Sequence, residues 1–293
     1  MSRIFDALRR SEQEKSGKGS STPWTKSLSA EQPRVSLDNL PAGFEGVQRV
    51  ALRIPPEKHI VTCGDNLSPG AERFRVLRHR LQRIRADRPL NKLLVSSAVP
   101  REGKTLVAIN LAFSLARTSR RVLLIDADLR HPSVHEVLGI QAMPGLAEVL
   151  HCEIDARSAI RCLDPGNLYY LPAGRPPANP GELLQEPLLG ELMKEGLNAF
   201  DWVVVDSAPI TLFADTPHLA GHVDGTVLVT RVGVTPADAV QSALTAIEGN
   251  FVAGVVLNGG SNPSNGHYDN YYGDAADRNI YFQSEPEAGN EKS

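Results

Sequence analysis

Residues 98–105 read A-x-x-x-x-G-K-T, which is typical of a phosphate-binding loop of the Walker A type. An apolar run precedes the loop and a helical pattern follows it, so backbone N–H groups and a helix N-terminus would surround a phosphate. Gly103 lets the backbone come close, Lys104 neutralises the β- and γ-phosphates, and the Thr105 hydroxyl is a ligand for Mg²⁺. The loop therefore predicts binding of ATP with Mg²⁺. The residues expected to contact the nucleotide here are Ala98, Val99, Pro100, Arg101, Glu102, Gly103, Lys104, Thr105 and Leu106.

Three aspartates follow apolar runs that read as buried strands: Asp126 and Asp128 in LLIDADLRHP, and Asp206 in VVVDSAP. In an open α/β sheet, the carboxyl ends of the strands line the ligand crevice. Beside a phosphate-binding loop, these carboxylates predict a Mg²⁺ site, and one of them could accept a proton from an attacking hydroxyl. A strand-end aspartate can instead cap the next turn or helix. For Asp215, in LFADTPHLA, we weigh a site role and a capping role equally.

Tyrosines are concentrated near the end of the chain. Of six tyrosines, four lie in the polar stretch after residue 258: Tyr268, Tyr271, Tyr272 and Tyr281. The composition of this stretch cannot bury a core, so it predicts a mobile tail. A chain poor in aromatic residues thus places most of its tyrosines where nothing buries them.

The elements that position these residues alternate along the chain. Apolar runs at 92–97, 121–128, 201–209, 225–231 and 252–258 predict strands, and periodic patterns at 69–88, 104–118 and 236–249 predict helices. Strands of this kind, separated by helices, predict an α/β fold with a mostly parallel sheet covered by helices on both faces. With the phosphate-binding loop, this is the P-loop NTPase architecture.

The helix at 69–88 is predicted to be amphipathic. Phe74, Leu77, Leu81 and Ile84 repeat at three and four residues, which puts them on one face. We expect the other face to be basic. No aromatic residues interleave with its arginines, which argues against a nucleic-acid partner. The arginines assigned to the basic face are Arg73, Arg75, Arg78, Arg80, Arg83, Arg85 and Arg88.

The 293-residue chain, 41% hydrophobic, suits one folded domain with flexible ends. We place a short helix and flexible linker at 1–47, the P-loop domain at 48–262 and the disordered tyrosine-containing tail at 263–293. The net charge of −3 gives no general signal for polyanion binding. No apolar run approaches the ~18 residues of a membrane span, and the start has no signal-peptide core. Three cysteines without ligand spacing predict reduced thiols in a cytoplasmic protein.

Five segments, PREGKT, VLLIDADLRHP, LPAGRPPANPGELL, FDWVVVDSAPI and GVVLN, occur in this order. Together they resemble the bacterial tyrosine kinases of capsule and exopolysaccharide synthesis, the BY-kinases, over residues 60 to 260 and the tail. The resemblance implies a MinD/ParA-like P-loop fold and ATP-dependent autokinase activity, with the γ-phosphate passed in trans to a neighbouring subunit. It also accounts for the exposed tyrosines, since it makes them the phosphoacceptors. These are Tyr268, Tyr271, Tyr272 and Tyr281.

The resemblance implies a role for each matching position of the site. Lys104 holds the phosphates, while Thr105, Asp126, Asp128 and Asp206 hold Mg²⁺ directly or through water. Asp126 is the first choice for the base that takes the tyrosine proton, and Asp128 is the second. The expected catalytic residues are Lys104, Asp126, Asp128 and Asp206.

Further positions match the family outside this set. Asn258 resembles an adenine-binding asparagine. Glu72, Arg75 and Arg78 have the spacing E-x-x-R-x-x-R of the helix that packs one subunit on the next in a ring. Arg130 contacts the phosphate, the incoming tail or a neighbouring subunit, or else is an ordinary surface arginine.

The resemblance also implies partners: a ring-like homo-oligomer, a membrane polysaccharide co-polymerase as activator and a cognate tyrosine phosphatase. Through the co-polymerase, the protein is expected at the inner face of the membrane. Ile4, Phe5 and Leu8 share one face of a short helix at the start of the chain. That helix is either a fraying terminus, which we favour, or a docking element for a partner.

The chain departs from the family at Arg101, where a glycine is usual. If the position needs an unusual backbone angle, arginine strains it; if not, its cation could help bind phosphate. The tyrosine cluster is also short. One rival interpretation is a MinD/ParA-type ATPase, but Val99 stands in place of the signature lysine of those proteins. A second is a nucleotide-dependent assembly scaffold with little catalysis.

Overall fold

The structure, a computed structural model, describes residues 47–260 except positions 53, 55, 64–67, 120, 165, 166, 197 and 198. The predicted N-terminal helix and linker therefore lie outside the described residues, apart from position 47. The four tail tyrosines, from Tyr268 to Tyr281, also lie outside them. The domain limits assigned at 47–48 and 262–263 stay predictions.

Within the described residues, the chain forms one eight-stranded sheet. The strands are β1 (Arg49–Val50), β2 (Lys92–Ser97), β3 (Val122–Asp126), β4 (Arg161–Leu163), β5 (Leu168–Leu171), β6 (Trp202–Asp206), β7 (Gly225–Arg231) and β8 (Val252–Asn258). The α-helices are α1 (Pro69–Asp87), α2 (Lys104–Ala116), α3 (Val134–Leu138), α4 (Leu146–Leu150), α5 (Ala156–Ala159), α6 (Pro180–Leu184), α7 (Pro187–Glu191), α8 (Asp215–Ala220) and α9 (Ala237–Ala246). A 3₁₀ turn (Pro56–Lys58) and a π-helical turn (Leu192–Gly196) complete the regular structure.

The strands lie in the order β1-β4-β5-β3-β6-β2-β7-β8, and every neighbouring pair is parallel except β4–β5. This order places β3, β6 and β2 side by side in the middle of the sheet. Their carboxyl ends therefore meet at one edge, where the register pairs Asp126 with Asp206 and Asp206 with Val95. The edge is the place expected for a ligand crevice in an open α/β sheet.

Helices cover both faces of the sheet. Leu93 and Val95 of β2 pack into a core with α1, α2 and α3, whereas Leu94 between them packs into a second core with α4 to α9. Successive side chains of a strand point to opposite faces, so a strand buried on both faces must be apolar throughout. The predicted α/β fold with helices on both faces is confirmed.

The structure confirms the long predicted elements and adds short ones. The strands expected at 92–97, 225–231 and 252–258 coincide with β2, β7 and β8, and the other predicted elements differ only at their ends. Three strands, β1, β4 and β5, and the helices α3 to α8 were not predicted. Each of these helices has only four to six residues, too few for a periodic apolar pattern to be recognised. The two tyrosines outside the tail, Tyr169 and Tyr170, are buried in β5.

Helix α1 is amphipathic, but its arginines do not form one basic face. It begins at the cap residue Ser68, whose hydroxyl oxygen accepts from the N–H of Ala71. The prediction that Arg78 lies on the outer face is wrong: this side chain is buried, and its Nη1 donates to the carbonyl oxygen of Ser114 in α2 at 2.8 Å. Burial is the largest cause that lowers its pKa, with Arg75 and Arg117 acting in the same direction.

Two more arginines of the helix are bound to their own chain. The Arg85 guanidinium lies 4.6 Å from the ring centroid of Trp202, and that of Arg88 lies 3.6 Å from the ring centroid of Phe251. Such contacts hold the cationic side chains against the domain. The expected continuous basic surface is therefore reduced.

The loop between β2 and α2 contains two residues in the left-handed region. Gly103, the N-cap of α2, has φ of 89°, and the exposed Arg101 has φ of 65°. A Cβ at position 103 would lie 2.2 Å from Nδ2 of Asn258, so only glycine fits there. Of the two alternatives for Arg101, the structure supports strain, since this position does use the backbone angle at which glycine is usual.

Replacing Arg101 by glycine should therefore stabilise the protein. We expect Arg101→Gly to raise the free energy of unfolding by about 0.5–1 kcal/mol, because relief of the left-handed strain exceeds the added chain entropy of glycine. The matched control, Gly103→Ala, should lower it by at least about 1 kcal/mol, since a side chain there meets both the backbone penalty and Asn258. Urea unfolding measures both changes. A less stable Arg101→Gly protein would contradict the strain interpretation.

Candidate functional site

The loop after β2 and the carboxyl ends of β3 and β6 bring the predicted site residues together. Lys104 Nζ lies 2.9 Å from Oδ2 of Asp128, and both side chains are largely buried. The Thr105 hydroxyl donates to Oδ2 of Asp206 at 2.7 Å and accepts from the Ser133 hydroxyl at 3.2 Å. Ser133 was not predicted, because it comes from the turn before α3 and matches no motif.

The three predicted carboxylates are buried, but they point to different partners. Oδ1 of Asp126 accepts from the N–H of Asp128, and its Oδ2 accepts from the N–H of Val134. Oδ1 of Asp128 accepts from the N–H of His131, while its Oδ2 faces Lys104. In the part of the chain that the structure describes, no three His, Cys, Asp or Glu side chains lie close enough to hold one metal ion. The predicted carboxylates are therefore not gathered as three direct ligands, which leaves coordination through water as the alternative.

Burial and mutual repulsion shift the titration of this cluster. Burial, with repulsion from Asp206, raises the pKa of Asp126 well above its usual range. Burial raises the pKa of Asp206 to about 6, although Lys104 and the Thr105 hydroxyl act in the opposite direction. Burial alone would lower the pKa of Lys104, but attraction from Asp206 and Asp128 outweighs it and raises this pKa. The ammonium is therefore held in its charged form.

Two observations show that these residues fit a divalent cation and phosphate groups. Oδ1 of Asp206 is buried and, among the described residues, has no hydrogen-bond partner. A buried carboxylate oxygen beside the Thr105 hydroxyl is a donor pair that Mg²⁺ accepts. The N–H groups of the first turn of α2 have no acceptor within the helix, and its N-cap Gly103 makes no side-chain capping bond, so these groups can donate to a phosphate.

One amide of the predicted loop is already used within it. The N–H of Val99 donates to Oε2 of the buried Glu102 at 2.9 Å, so the expected nucleotide contact from this amide is not supported. The Asn258 side chain donates through Nδ2 to the carbonyl oxygen of Glu102 at 2.8 Å and accepts from the N–H of Gly259 at 2.9 Å. Its adenine-binding role stays a prediction. The sequence motif places Glu102 in the loop, but nothing in it indicates that the Glu102 carboxylate is buried.

Arg130 and Asp215 form an ion pair near this edge of the sheet. Nε of Arg130 lies 2.7 Å from Oδ2 of Asp215, and its guanidinium lies 4.1 Å from the ring centroid of Phe213. A Cβ on Gly181 of α6 would approach Oδ1 of Asp215 to 2.6 Å, so α6 packs closely on the pair. Arg130 is thus not an isolated surface side chain, and Asp215 begins α8 without a side-chain capping bond. A ligand contact for Arg130 stays a prediction.

The predicted subunit-contact residues lie on α1, apart from the nucleotide loop in sequence. Glu72 and Arg75 form an ion pair on the helix surface, and both side chains are partly exposed. Arg78, by contrast, is buried in its own chain.

Within the part of the chain that the structure describes, none of the helices has the length and apolar composition of a membrane-spanning segment.

The geometry agrees with comparisons to known proteins. The family description "CobQ/CobB/MinD/ParA nucleotide binding domain" matches residues 101–271. Tyrosine-protein kinase YwqD of Bacillus subtilis (strain 168) is 32% identical over 219 residues, which cover 74% of this chain and 92% of YwqD. The succinoglycan biosynthesis transport protein ExoP of Rhizobium meliloti (strain 1021) is 33% identical over 218 residues. These cover 72% of this chain but 28% of ExoP, so the chain spans less than a third of that relative.

A solved structure supports the same assignment. The kinase domain of Escherichia coli tyrosine kinase ETK superposes with a TM-score of 0.63 at 29% identity, over 68% of this chain and 80% of that one. The superposition on the ETK kinase domain shows that the two chains share a fold. The sequence identity to YwqD covers nearly the whole length of that kinase. The chain therefore belongs to the bacterial tyrosine-protein kinases, within the CobQ/CobB/MinD/ParA group of nucleotide-binding domains.

Proposed function

We propose that this chain is an ATP-dependent protein-tyrosine kinase that transfers the γ-phosphate in trans to the tail of a neighbouring subunit. The observation that carries the proposal is the buried arrangement of Lys104 with Asp128 and of Thr105 with Asp206. This arrangement places the Lys104 ammonium, which can bind phosphate, next to oxygens of Thr105 and Asp206 that can bind a metal ion. The acceptors are Tyr268, Tyr271, Tyr272 and Tyr281.

The phosphate-binding role belongs to the loop and the first turn of α2. The Lys104 ammonium, which its carboxylate neighbours keep charged, neutralises the β- and γ-phosphates. The first-turn N–H groups donate to phosphate oxygens, and Gly103 supplies the left-handed backbone angle at the start of the helix. Together these groups orient the phosphate for in-line attack.

The cation-binding role belongs to Thr105 and Asp206, with Asp126 and Asp128 acting through water. When bound, Mg²⁺ supplies charge neutralisation between the β- and γ-phosphate oxygens. Asp206 offers Oδ1, which has no hydrogen-bond partner in the described part of the chain, while its Oδ2 orients the Thr105 hydroxyl. Ser133 in turn donates to Thr105 and fixes the position of that hydroxyl.

A carboxylate at the edge of β3 accepts the tyrosine proton. The described geometry supports Asp128 over Asp126, which was our first choice from the sequence. Both oxygens of Asp126 accept from backbone N–H groups, whereas Oδ2 of Asp128 faces the side-chain ammonium of Lys104. A base must be within reach of the proton it takes, and a side-chain partner can give way to the substrate more readily than a backbone one.

The assembly and partners are proposed with the activity. A ring-like homo-oligomer would form through Glu72 and Arg75, which are partly exposed on α1. A membrane polysaccharide co-polymerase would activate the kinase at the inner face of the membrane, and a cognate tyrosine phosphatase would reverse the modification. The output would be control of capsular or exopolysaccharide synthesis or export, which the likeness to ExoP supports.

Phosphate transfer to the tail can be tested directly. After incubation of the full chain with Mg²⁺ and ATP, mass spectrometry should find phosphate on the tail tyrosines. The Lys104→Met variant should carry none, because the γ-phosphate loses its cation. Each protein is tested with and without the cytoplasmic segment of a candidate co-polymerase. ATP hydrolysis with unmodified tyrosines under both conditions would contradict the kinase proposal and favour a positioning ATPase or a scaffold.

Variants of Arg75 and Arg78 should separate the effect of α1 on assembly from its effect on stability. Arg75→Ala should reduce the oligomeric fraction in sizing measurements while leaving the folded subunit intact. Arg78→Ala should instead lower the free energy of unfolding by about 1–3 kcal/mol, since the carbonyl oxygen of Ser114 loses a charged donor. An unchanged oligomer in the Arg75→Ala protein would count against the α1 interface.

Binding of Mg²⁺ at Asp206 should depend on pH. The raised pKa of Asp206, about 6, means that at pH 5.5 the free protein holds a proton where the cation would bind. We expect the gain in ADP affinity caused by Mg²⁺ to be roughly threefold to fivefold smaller at pH 5.5 than at pH 7.5. Calorimetric titration measures it, corrected for Mg²⁺ binding to free ADP. Asp206→Asn should lose the pH dependence; an equal gain at both pH values in the unmodified protein would refute a role for the Asp206 carboxylate.

A further inference from the structure

Glu102 is a carboxylate placed inside a loop that binds anions. Glu102 is only 1% exposed, and its carboxylate accepts from residues other than Lys104 and its partners. Oε2 accepts from the N–H of Val99 at 2.9 Å, and Oε1 accepts from the N–H of Arg231 at 3.3 Å and from the Thr235 hydroxyl. A buried carboxylate is costly unless it is hydrogen-bonded, so these three donors are what allow it to stay there.

The contacts of Glu102 join the loop to the far half of the sheet. Arg231 is the last residue of β7, and Thr235 lies in the turn between β7 and α9, residues 232–236. Asn258, the last residue of β8, donates to the backbone carbonyl oxygen of Glu102 itself. Two strand ends and one turn thus converge on a single loop residue.

The backbone around Glu102 needs such support. Its neighbours, Arg101 and Gly103, both have φ in the left-handed region. A sequence of unusual backbone angles persists only when the surrounding structure holds it. The bond from Val99 to Glu102 closes the loop on one side, and the bonds from Arg231 and Thr235 anchor it on the other.

We propose that Glu102 is a positioning residue for the nucleotide. Its carboxylate holds the loop backbone in the phosphate-binding conformation by accepting from Val99, Arg231 and Thr235. The affinity for ADP and ATP thereby depends on the position of the β7–α9 turn. This inference rests on the proposed function, because it concerns the nucleotide of that site, and it adds a link between the loop and a turn that carries the exposed Val232 and Val234.

Three single variants of the full chain, and the double variant Glu102→Gln with Thr235→Val, test the link. Glu102→Gln keeps the shape but replaces an acceptor by an NH₂ group that faces a donor. Thr235→Val replaces the hydroxyl, which donates to Glu102 and accepts from the N–H of Arg231 at 2.7 Å, by a methyl group. Thr235→Ser is its matched control because it keeps the hydroxyl. The measurements are Mg²⁺-ADP affinity by calorimetric titration, thermal unfolding without ligand, and kcat and KM for ATP in the phosphorylation assay.

We expect Glu102→Gln to weaken ADP binding by at least about tenfold and Thr235→Val by about threefold to tenfold, since each disrupts a bond to a charged group. Thr235→Ser should restore binding. The double variant should bind no more weakly than Glu102→Gln alone, because both changes break the same link. KM for ATP should rise in step with the dissociation constant, while kcat stays within about threefold. This is the pattern expected when a variant loses binding energy that the ground state and the transition state share equally.

The contrary outcomes are distinct. A Thr235→Val protein that binds Mg²⁺-ADP as tightly as the unmodified chain would overturn the link even if Glu102→Gln does not fold. Lower thermal stability with unchanged affinity and KM would show that Glu102 only stabilises the domain. Failure of the unmodified chain to bind Mg²⁺-ADP would refute both the proposed function and this inference, whereas binding without phosphorylation would refute the kinase activity alone.

Discussion

The contact between Lys104 and Asp128, 2.9 Å long, lies in a cluster where three buried carboxylates attract one ammonium. Burial, together with this excess of negative charge, raises the pKa of Asp126 and Asp206, and the carboxylates raise the pKa of Lys104 and keep it charged. An anion alone would be repelled by such a cluster, whereas a phosphate that arrives with a divalent cation compensates it. The charge of the site thus favours a metal–nucleotide complex over a free nucleotide.

The sheet order brings these charges together. Because β3, β6 and β2 are neighbours, side chains that lie about a hundred positions apart in sequence, such as Thr105 and Asp206, come within a hydrogen bond of each other. The strands themselves are apolar on both faces and pack against helices, so their ends are the place where polar side chains reach a crevice. The sheet is therefore apolar on both faces and polar at the edge where the carboxyl ends of its strands lie.

The loop that follows β2 shows how the rest of the domain supports this edge. Arg101 occupies a backbone angle at which glycine is usual, and Glu102 accepts from both its own loop and the β7–α9 turn. The site is therefore held from two sides: by the carboxylates of β3 and β6, and by the ends of β7 and β8 through Glu102 and Asn258. Strain in the backbone is tolerated where several distant elements fix the same residue.

The long strands, helix α2 and the phosphate-binding loop could be predicted from the sequence, because apolar periodicity and the A-x-x-x-x-G-K-T spacing depend on residues close together in the chain. The short helices α3 to α8 and strands β4 and β5 carried no such pattern. Tertiary contacts are what bury Arg78, leave an oxygen of Asp206 rather than of Asp126 without a partner among the described residues, and bring Glu102 to Thr235. Each of these depends on contacts between residues far apart in sequence, which local patterns do not encode.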